Sequence, residues 1–261
     1  MTTPIVTVAA AVTDAGRKRS QNEDSHLCSA PLFLVADGMG GYEAGDLASA
    51  AALAAFTPLA GREAVSIEEL REAYAAAGAN VIAVASGARV TAGTTLSGVA
   101  VSRNGDDGYW LVINVGDSRT YLYRGGVLEQ VSVDHSVVQE MLDAGEISAG
   151  DAARHKRRNV VTRALGAGSI SEPDFWMIPA EAGDRIVVCS DGLTGELSDE
   201  EIAEILARPG DPSAAASALV EATLDKGARD NVTVVVVDAL SVAGARDMDE
   251  DTIPRTSEAV S

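Results

Sequence analysis

The sequence predicts an α+β fold in which helices cover an antiparallel β-sheet. Three stretches with the composition of strands follow one another at 93–101, 109–115 and 119–124. The links between them are short, and short links force neighbouring strands to run antiparallel, because a parallel return needs a longer crossover. Two helical patterns, at 43–60 and at 67–85, are long enough to cover one face of such a sheet.

The first part of the chain contains a strand, a charged loop and a second strand. Residues 5–12 are apolar and β-branched, which predicts a strand. Residues 17–25 are dense in charge and predict a solvated loop. The next apolar run ends in Asp37, and the glycines that begin at Gly38 predict a tight turn after the strand.

The rest of the chain extends the strand meander and then mixes helices with strands. Residues 146–170 are basic in the middle and have no clear periodicity, so we expect a mobile excursion from the core. The other expected elements are a strand at 125–132, a helix that ends at Gly145, a strand at 184–193, helices at 198–206 and 212–225, and a final strand at 227–238.

The composition excludes several classes of protein. The chain has 261 residues, 46% of them hydrophobic, which is enough for a sizeable core, and its net charge of −19 argues against nucleic acid as a partner. No apolar run approaches the roughly 20 residues of a membrane-spanning helix. Cys28 and Cys189 lie far apart and outside any CxxC motif, which favours neither a disulfide framework nor a zinc site. We therefore expect a cytoplasmic protein, with no feature that requires an oligomer.

Carboxylates recur at the ends of the apolar strands. Asp37 and Asp191 are each followed by glycine, and Asp230 precedes the final strand. If these strands are neighbours, the carboxylates converge, and a divalent cation relieves their repulsion. Oxygen ligands without His or Cys favour Mg²⁺ or Mn²⁺, and a pair of such ions can activate a bridging water for hydrolysis. Three separate turn carboxylates are the alternative interpretation.

Eight stretches carry a resemblance to a known family. They occur in the family's order and extend over nearly all of residues 5–238. On them the chain resembles the metal-dependent protein Ser/Thr phosphatases of the PP2C (PPM) family in their compact bacterial form. The stretches are RSQNED (19–24), VADGMGG (35–41), GTTL (93–96), NVGDSR (114–119), DHS (134–136), RRNVVTRALG (157–166), CSDGLTG (189–195) and ARDNVTVVVV (228–237).

The resemblance implies a fold and an activity. The fold is a four-layer α-β-β-α sandwich of two antiparallel sheets between helices, formed by residues 1–240, with residues 146–170 as a flap segment beside the active site. Residues 241–261 would then be an acidic, disordered tail. The implied activity is hydrolysis of phosphoserine and phosphothreonine in proteins, with two Mn²⁺ or Mg²⁺ ions and room for a third. The implied partners are phosphorylated proteins, among them bacterial Ser/Thr kinases and their substrates.

The resemblance also implies metal ligands. Asp37 would bridge both ions, and the carbonyl of Gly38 would bind one of them. Asp191 and Asp230 would complete the other site. Asp117 would help to hold the third, weaker ion.

Other residues have implied or possible roles around these ligands. Glu23 and Asp24 would hold metal-bound waters or one ion directly, and Arg19 would bind the substrate phosphate. His155, in the flap segment, is a possible substrate contact. Met39 occupies a position at which some family members have a proton-donating histidine, so the general acid stays open.

Two other functions are compatible with the sequence. The first is a pseudophosphatase or phosphoprotein-binding scaffold without turnover, which would be expected to lack metal ligands. The second is a phosphatase of small molecules. Two smaller hypotheses concern single residues: His135 is expected to form local hydrogen bonds, and Thr252 in the tail is a candidate phosphorylation site, with an inert tail as the alternative.

Overall fold

The computed structural model describes residues 3–40, 44–88, 91–152, 155–166 and 172–244. These residues form two antiparallel sheets with helices on the outer face of each, so the predicted α+β class and four-layer order are confirmed. The strands are β1 (Ile5–Asp14), β2 (Asp24–Ser29), β3 (Leu32–Gly40), β4 (Ala92–Thr94), β5 (Leu96–Asn104), β6 (Asp107–Val115), β7 (Arg119–Arg124), β8 (Val127–Gln130), β9 (Asp174–Pro179), β10 (Arg185–Cys189) and β11 (Val232–Val242).

The helices are α1 (Ala44–Ala54), α2 (Ile67–Ala88), α3 (Val137–Asp143), α4 (Ala149–Ala152), α5 (Asp191–Thr194), α6 (Asp199–Leu206) and α7 (Pro212–Lys226). Helices α1 and α2 cover one sheet, α6 and α7 cover the other, and α4 lies in the flap segment. A 3₁₀ turn at Thr57–Leu59 follows α1. No helix in the described ranges is long and apolar enough to cross a membrane.

Each sheet mixes strands from distant parts of the chain. One sheet has the order β1-β11-β10-β7-β8, and the other has the order β2-β3-β5-β6-β9, with β4 paired to β3. All of these pairs are antiparallel. The predicted meander is confirmed for β5 with β6 and for β7 with β8, but it is wrong for β6 with β7, because the link at 116–118 crosses from one sheet to the other.

Three apolar clusters hold the four layers together. Side chains from both sheets, including Phe33, Trp110 and Val235, fill the space between the sheets. The outer face of the second sheet packs on α1 and α2 through residues such as Leu34 and Leu70. The outer face of the first sheet packs on α6 and α7 in the same way. Burial of large apolar side chains at the three interfaces between these layers is the main stabilising contribution to such a fold.

Several predicted boundaries are wrong. β3 does not turn after Asp37 but continues to Gly40, because residues 38–40 pair with β4. The charged stretch 17–25 ends inside a strand, since Asp24 begins β2. The predicted strand 93–101 is divided at Thr95 into β4 and β5, and β11 extends to Val242, beyond the start of the expected tail.

The flap segment is partly joined to the body of the protein. Val161 pairs with Ser136, and Leu165 pairs with Thr94. The side chain of Leu165 is buried in the core under α2. The part of the segment from Val161 to Leu165 is therefore anchored, in contrast to the expected excursion over the whole length. Residues 153–154 and 167–170 lie outside the described residues, as does the chain from 245 onward with Thr252.

Candidate metal centre

The topology of the first sheet brings three predicted carboxylates to one edge. β10 is antiparallel to both β11 and β7, so the end of β10 lies beside the beginnings of its two neighbours. Asp191 follows β10, Asp230 precedes β11, and Asp117 precedes β7. The three side chains therefore share one edge although they are far apart in sequence.

The second sheet contributes two more carboxylates. Asp24 begins β2 and is the direct cross-strand partner of Asp37 in β3. Asp24 interacts electrostatically with Asp191 and Asp230, and Asp37 interacts with these two and with Asp117. The site thus lies where the two sheets meet, and it includes Asp24 at its centre.

Hydrogen bonds fix the backbone of Asp37. Its N–H donates to Oγ1 of Thr95 at 2.9 Å, and its carbonyl accepts from the N–H of Thr95 at 2.9 Å and from Oγ1 of Thr94 at 2.9 Å. Thr95 Oγ1 also bonds Oγ of Ser118 at 2.7 Å. The loop of Asp117 is therefore linked to the backbone of Asp37 through two buried hydroxyl groups.

A buried serine holds one oxygen of Asp24. Ser190 Oγ donates to Asp24 Oδ2 at 2.7 Å and accepts from the N–H of Thr233 at 3.0 Å. The other oxygen, Asp24 Oδ1, is buried without any hydrogen-bond partner among the described residues. A buried carboxylate oxygen without a partner is costly unless a cation or water binds it.

Burial raises the pKa of four of these carboxyl groups. Desolvation is the main cause at Asp24, Asp37, Asp117 and Asp191, and neighbouring aspartates add to it. The pKa of Asp24 is raised to about 7, that of Asp117 to about 8 and that of Asp191 to about 6. The pKa of Asp37 is raised well above its usual value, by desolvation first and then by Asp24. Asp191 shares a hydrogen bond with Asp37, which partly offsets its own shift.

The donors of this site are oxygen atoms, which suit a hard divalent cation. The described residues do not already hold these donors around a single position. Within the described ranges, no group of three His, Cys, Asp or Glu side chains is arranged so that it could hold a metal ion as it stands. Asp24 and Asp37 are nevertheless direct cross-strand partners, and two carboxylates in this arrangement repel each other. Oxygen-only donors, an unpartnered Asp24 oxygen and mutual repulsion are all features that a bound Mg²⁺ or Mn²⁺ would satisfy.

Gly38 lies in a space that admits no side chain. A Cβ at this position would be 2.1 Å from the carbonyl oxygen of Gly45 and 2.5 Å from that of Glu23. The N–H of Gly38 donates to the same Glu23 carbonyl at 3.2 Å. The glycine therefore lets β3, the loop before β2 and the start of α1 approach one another closely.

Arg19 lies at the exposed rim of the site. Its Nη2 donates to Asp230 Oδ2 at 2.8 Å, and 51% of its side chain is exposed. Asn231 positions the loop between β1 and β2, which contains Arg19. Its side chain accepts from the N–H of Glu23 at 2.9 Å and donates to the carbonyls of Ala15 and Gln21. The predicted phosphate-binding arginine and the acidic site are thus adjacent.

The predicted roles of the histidines have different outcomes. His135 is buried and forms hydrogen bonds, but its partners are not local as expected: Nδ1 accepts from the N–H of Gly116 at 3.2 Å, and Nε2 bonds Asp174 Oδ2 at 2.9 Å. His155 bonds within the flap segment, where Nδ1 accepts from the N–H of Arg157 at 3.2 Å. Met39 is half-buried on β3.

A family model named Protein phosphatase 2C matches residues 11–232. The chain belongs to the protein phosphatase 2C family. The match includes every carboxylate described above.

Relatives and solved structures agree with this membership. The chain is 38% identical over 264 residues to Serine/threonine protein phosphatase PstP of Mycobacterium tuberculosis, covering 95% of this chain and 50% of the relative. It therefore spans about half the length of that protein. It is 35% identical over 240 residues to Serine/threonine phosphatase stp of Listeria monocytogenes, covering 87% of this chain and 93% of the relative.

A solved structure supports the fold in detail. The catalytic domain of the serine threonine protein phosphatase PstP, in complex with two manganese ions, superposes with a TM-score of 0.82. The identity is 36%, and the match covers 91% of this chain and all of that one. The two manganese ions are a property of that protein.

Some residues of the site were not identified from the sequence. Ser190 binds the carboxylate of Asp24, and Thr94 and Thr95 bind the backbone of Asp37. Each of the three has the sequence pattern of an ordinary strand-end residue. Their signal is position, since Ser190 immediately precedes Asp191, and the two threonines lie in the GTTL stretch. The contact of His135 with Asp174 joins residues 39 positions apart and has no local signal.

Proposed function

We propose that this protein is a metal-dependent phosphatase of phosphoserine and phosphothreonine in proteins. The observation that carries the proposal is the meeting of Asp24, Asp37, Asp117, Asp191 and Asp230 where the two sheets join. Membership of the protein phosphatase 2C family supports it. The names of the Mycobacterium and Listeria relatives give the substrate class.

The aspartates would hold the cations. Asp37 would bridge two ions with the carbonyl of Gly38 as a further ligand, and Asp191 and Asp230 would complete the pair. Asp117 would take part in a third, weaker site. Asp24 would bind an ion through its unpartnered oxygen or hold a metal-bound water. Glu23 would likewise hold a metal-bound water or bind an ion directly. When bound, Mn²⁺ or Mg²⁺ would supply an activated water and neutralise charge on the phosphoryl group.

Arg19 would bind the phosphate of the substrate. Its guanidinium is exposed and next to Asp230, so it can turn from the carboxylate to a phosphoryl oxygen without leaving the site. A planar, forked donor suits two oxygens of a phosphate. No side chain is assigned as the proton donor to the leaving hydroxyl, and Met39 has no proton to give.

Phosphopeptide turnover tests the proposal directly. We expect the wild-type protein to release phosphate from a phosphothreonine peptide with Mn²⁺ and not with EDTA. Asp191→Asn should lower kcat by at least about 100-fold, because a charged ligand is lost. Asp238→Asn is the matched control, since Asp238 pairs with Arg185 at the opposite end of β10 and should leave turnover nearly unchanged.

The main rival is a phosphoprotein-binding scaffold without turnover. It predicts tight binding of the phosphopeptide, no release of phosphate with any divalent cation, and no difference between wild type and Asp191→Asn. Turnover restricted to small phosphate esters would instead favour a small-molecule phosphatase. The expected biological setting, reversal of bacterial Ser/Thr kinase signalling, forms part of the proposal and depends on the relatives.

A further inference from the structure

Most basic side chains of the described residues have a partner. Arg71 lies over the ring of Phe175, with its guanidinium carbon 5.4 Å from the centroid. The side chains paired with a carboxylate are Arg19, Arg62, Arg103, Arg119, Arg124, Arg163, Arg185, Lys226 and Arg229. In a chain with 39 acidic and 20 basic residues, such pairing is expected.

Three consecutive cations of the flap segment depart from this pattern. Lys156, Arg157 and Arg158, here called the flap cations, are exposed, and no carboxylate of the described residues lies within ion-pair distance of them. Lys156 and Arg157 also line an open cavity of about 690 Å³ together with Asp151 and His155. The carboxylate of Asp151 is held by Ser148 Oγ at 2.6 Å.

Among the flap cations, Arg158 lies near Glu196, whose ion-pair partner is next to Asp230 in the chain. Glu196, just beyond α5, is paired with Arg229 at 2.8 Å, which is the main reason that its pKa is lowered, and Arg158 adds to this effect. Arg229 immediately precedes Asp230. The flap segment also returns to the body at Leu165, whose partner Thr94 donates to the carbonyl of Asp37.

Three other cations of the described residues have no ion-pair partner or aromatic contact, and two of them are next to Arg19 in the chain. Arg17 and Lys18 precede Arg19 at the rim of the site, and Arg208 at the end of α6 is the remaining case among the described residues. Arg208 lies near Gly210, whose carbonyl accepts from Arg185 at the far end of β10. Among the described residues, five of the six cations without an ion-pair partner or an aromatic contact thus lie either in the flap segment or next to Arg19 in the chain.

We propose that the flap cations select phosphoprotein segments that carry further anionic side chains beside the scissile phosphoresidue. These anions are carboxylates or a second phosphoryl group. The inference rests on the proposed phosphatase function and adds a substrate class to it. Acidic residues around the site would repel such segments, and the flap cations supply the compensating attraction in a form that salt screens.

Matched peptides test this inference. Three phosphothreonine peptides of equal length would have neutral flanks, Asp and Glu flanks, or one further phosphothreonine, and 4-nitrophenyl phosphate would report basal turnover with Mn²⁺. We expect the wild-type kcat/KM to favour an anionic flank over the neutral one by about 5- to 20-fold, as three exposed charge interactions allow. Preference for one or both anionic peptides identifies which flank is recognised.

Charge removal supplies the second comparison. In the triple variant Lys156→Gln, Arg157→Gln, Arg158→Gln the preference should fall to about twofold or less, with a far smaller change on 4-nitrophenyl phosphate. Arg208→Gln is the control and should keep the full preference. Raising the salt concentration from 50 to 300 mM should reduce the wild-type preference and leave the triple variant almost unaffected.

Three results would overturn the inference: equal kcat/KM for all peptides, a preference that survives in the triple variant, or an equal loss in Arg208→Gln. Absence of all turnover, including that of 4-nitrophenyl phosphate, would instead contradict the proposed function. In that case, fluorescence anisotropy with the same labelled peptides still tests the flap cations, because tighter binding of anionic flanks must disappear in the triple variant.

Discussion

Asp24 and Asp37 face each other as direct partners on neighbouring antiparallel strands, and one oxygen of Asp24 is buried without a hydrogen-bond partner in the described residues. Two carboxylates directly opposite on a sheet are destabilising on their own. Burial raises the pKa of both carboxyl groups, that of Asp24 to about 7, and the charge of Asp24 adds to the shift at Asp37. The fold therefore keeps a pair that costs stability unless a cation binds, which is expected of a functional site and not of a structural one.

The first prediction concerns Asp24. Asp24→Asn removes a repelled charge while its amide oxygen can still accept from Ser190, so the metal-free protein should have a higher Tm near pH 8. The increase in Tm produced by Mn²⁺ should shrink, because a charged donor is lost. Thermal unfolding with EDTA and with Mn²⁺ measures both effects. In the control Asp238→Asn, the metal-free Tm should fall while the Mn²⁺ increment stays, and the same pattern in Asp24→Asn would refute the prediction.

The second prediction concerns Arg19. Arg19→Ala should lower kcat/KM on a phosphothreonine peptide by about 10- to 100-fold, since a charge-assisted contact to phosphate is lost, and Arg19→Lys should restore only part of it. Steady-state kinetics with Mn²⁺ provide the measurement. Arg62→Ala removes an exposed ion pair with Glu69 away from the site and serves as the control. Equal activity of the Ala variant and the wild type would exclude Arg19 from phosphate binding.

The sequence predicted the features whose signal lies within a few neighbouring residues, and it predicted less well those that depend on contacts between distant parts of the chain. Asp37, Asp191 and Asp230 were recognised because each has its signal within a few residues, an apolar strand next to Gly or Asn. Their convergence follows from strand pairing, which the short links of the meander indicated only in part. β9 was missed because its pattern is weak, and it is a strand only through its pairing with β6.

Other errors arose where tertiary contacts override local patterns. Gly38 and Gly40 resemble a turn, yet they lie in a strand because β4 provides hydrogen-bond partners. The charged run at 17–25 predicts a solvated loop, whereas the structure buries Asp24 near its end. Ser190 and Thr95 carry no charge and no periodic signal, so their contacts with Asp24 and Asp37 could be seen only in three dimensions.

The third prediction concerns Gly38. Gly38→Ala should destabilise the protein by about 3 kcal/mol, because its Cβ would meet two backbone carbonyls that cannot both move. Gly78→Ala is the matched control, since the nearest atom to its Cβ, Leu165 Cδ2, is 3.6 Å away, and alanine favours a helix by about 0.5–1 kcal/mol. Urea unfolding measures both changes. Similar stabilities for the two variants would contradict the crowding argument.

The fourth prediction concerns His135. Both its backbone N–H and its Nδ1 bond the peptide groups of Gly116, next to Asp117, at 2.8 and 3.2 Å. His135→Ala leaves a buried N–H without its acceptor and should cost about 1–3 kcal/mol in stability. Asp174→Ala should cost less, because the Asp174 side chain is 41% exposed and water can replace its bond to His135. Urea unfolding of both variants tests the order, and a larger effect at Asp174 would reverse the interpretation.

The last prediction concerns pH in the metal-free protein. The pKa values of Asp191, Asp24 and Asp117 are raised to about 6, about 7 and about 8, from an ordinary value of 3.8. Between pH 3.8 and about pH 8, the folded state therefore binds more protons than the unfolded state. The free energy of unfolding falls as pH rises through this window.

Titration of stability tests this sign. With EDTA, we expect Tm to decrease from about pH 5.5 to pH 8, and the decrease should be shallower in Asp117→Asn, which removes one of the responsible groups. With saturating Mn²⁺ the stabilising effect should grow over the same window, since the ion binds the deprotonated carboxylates and displaces their protons. A metal-free Tm that rises toward pH 8, with no difference in Asp117→Asn, would show that the pKa values of these aspartates are not raised in the folded protein.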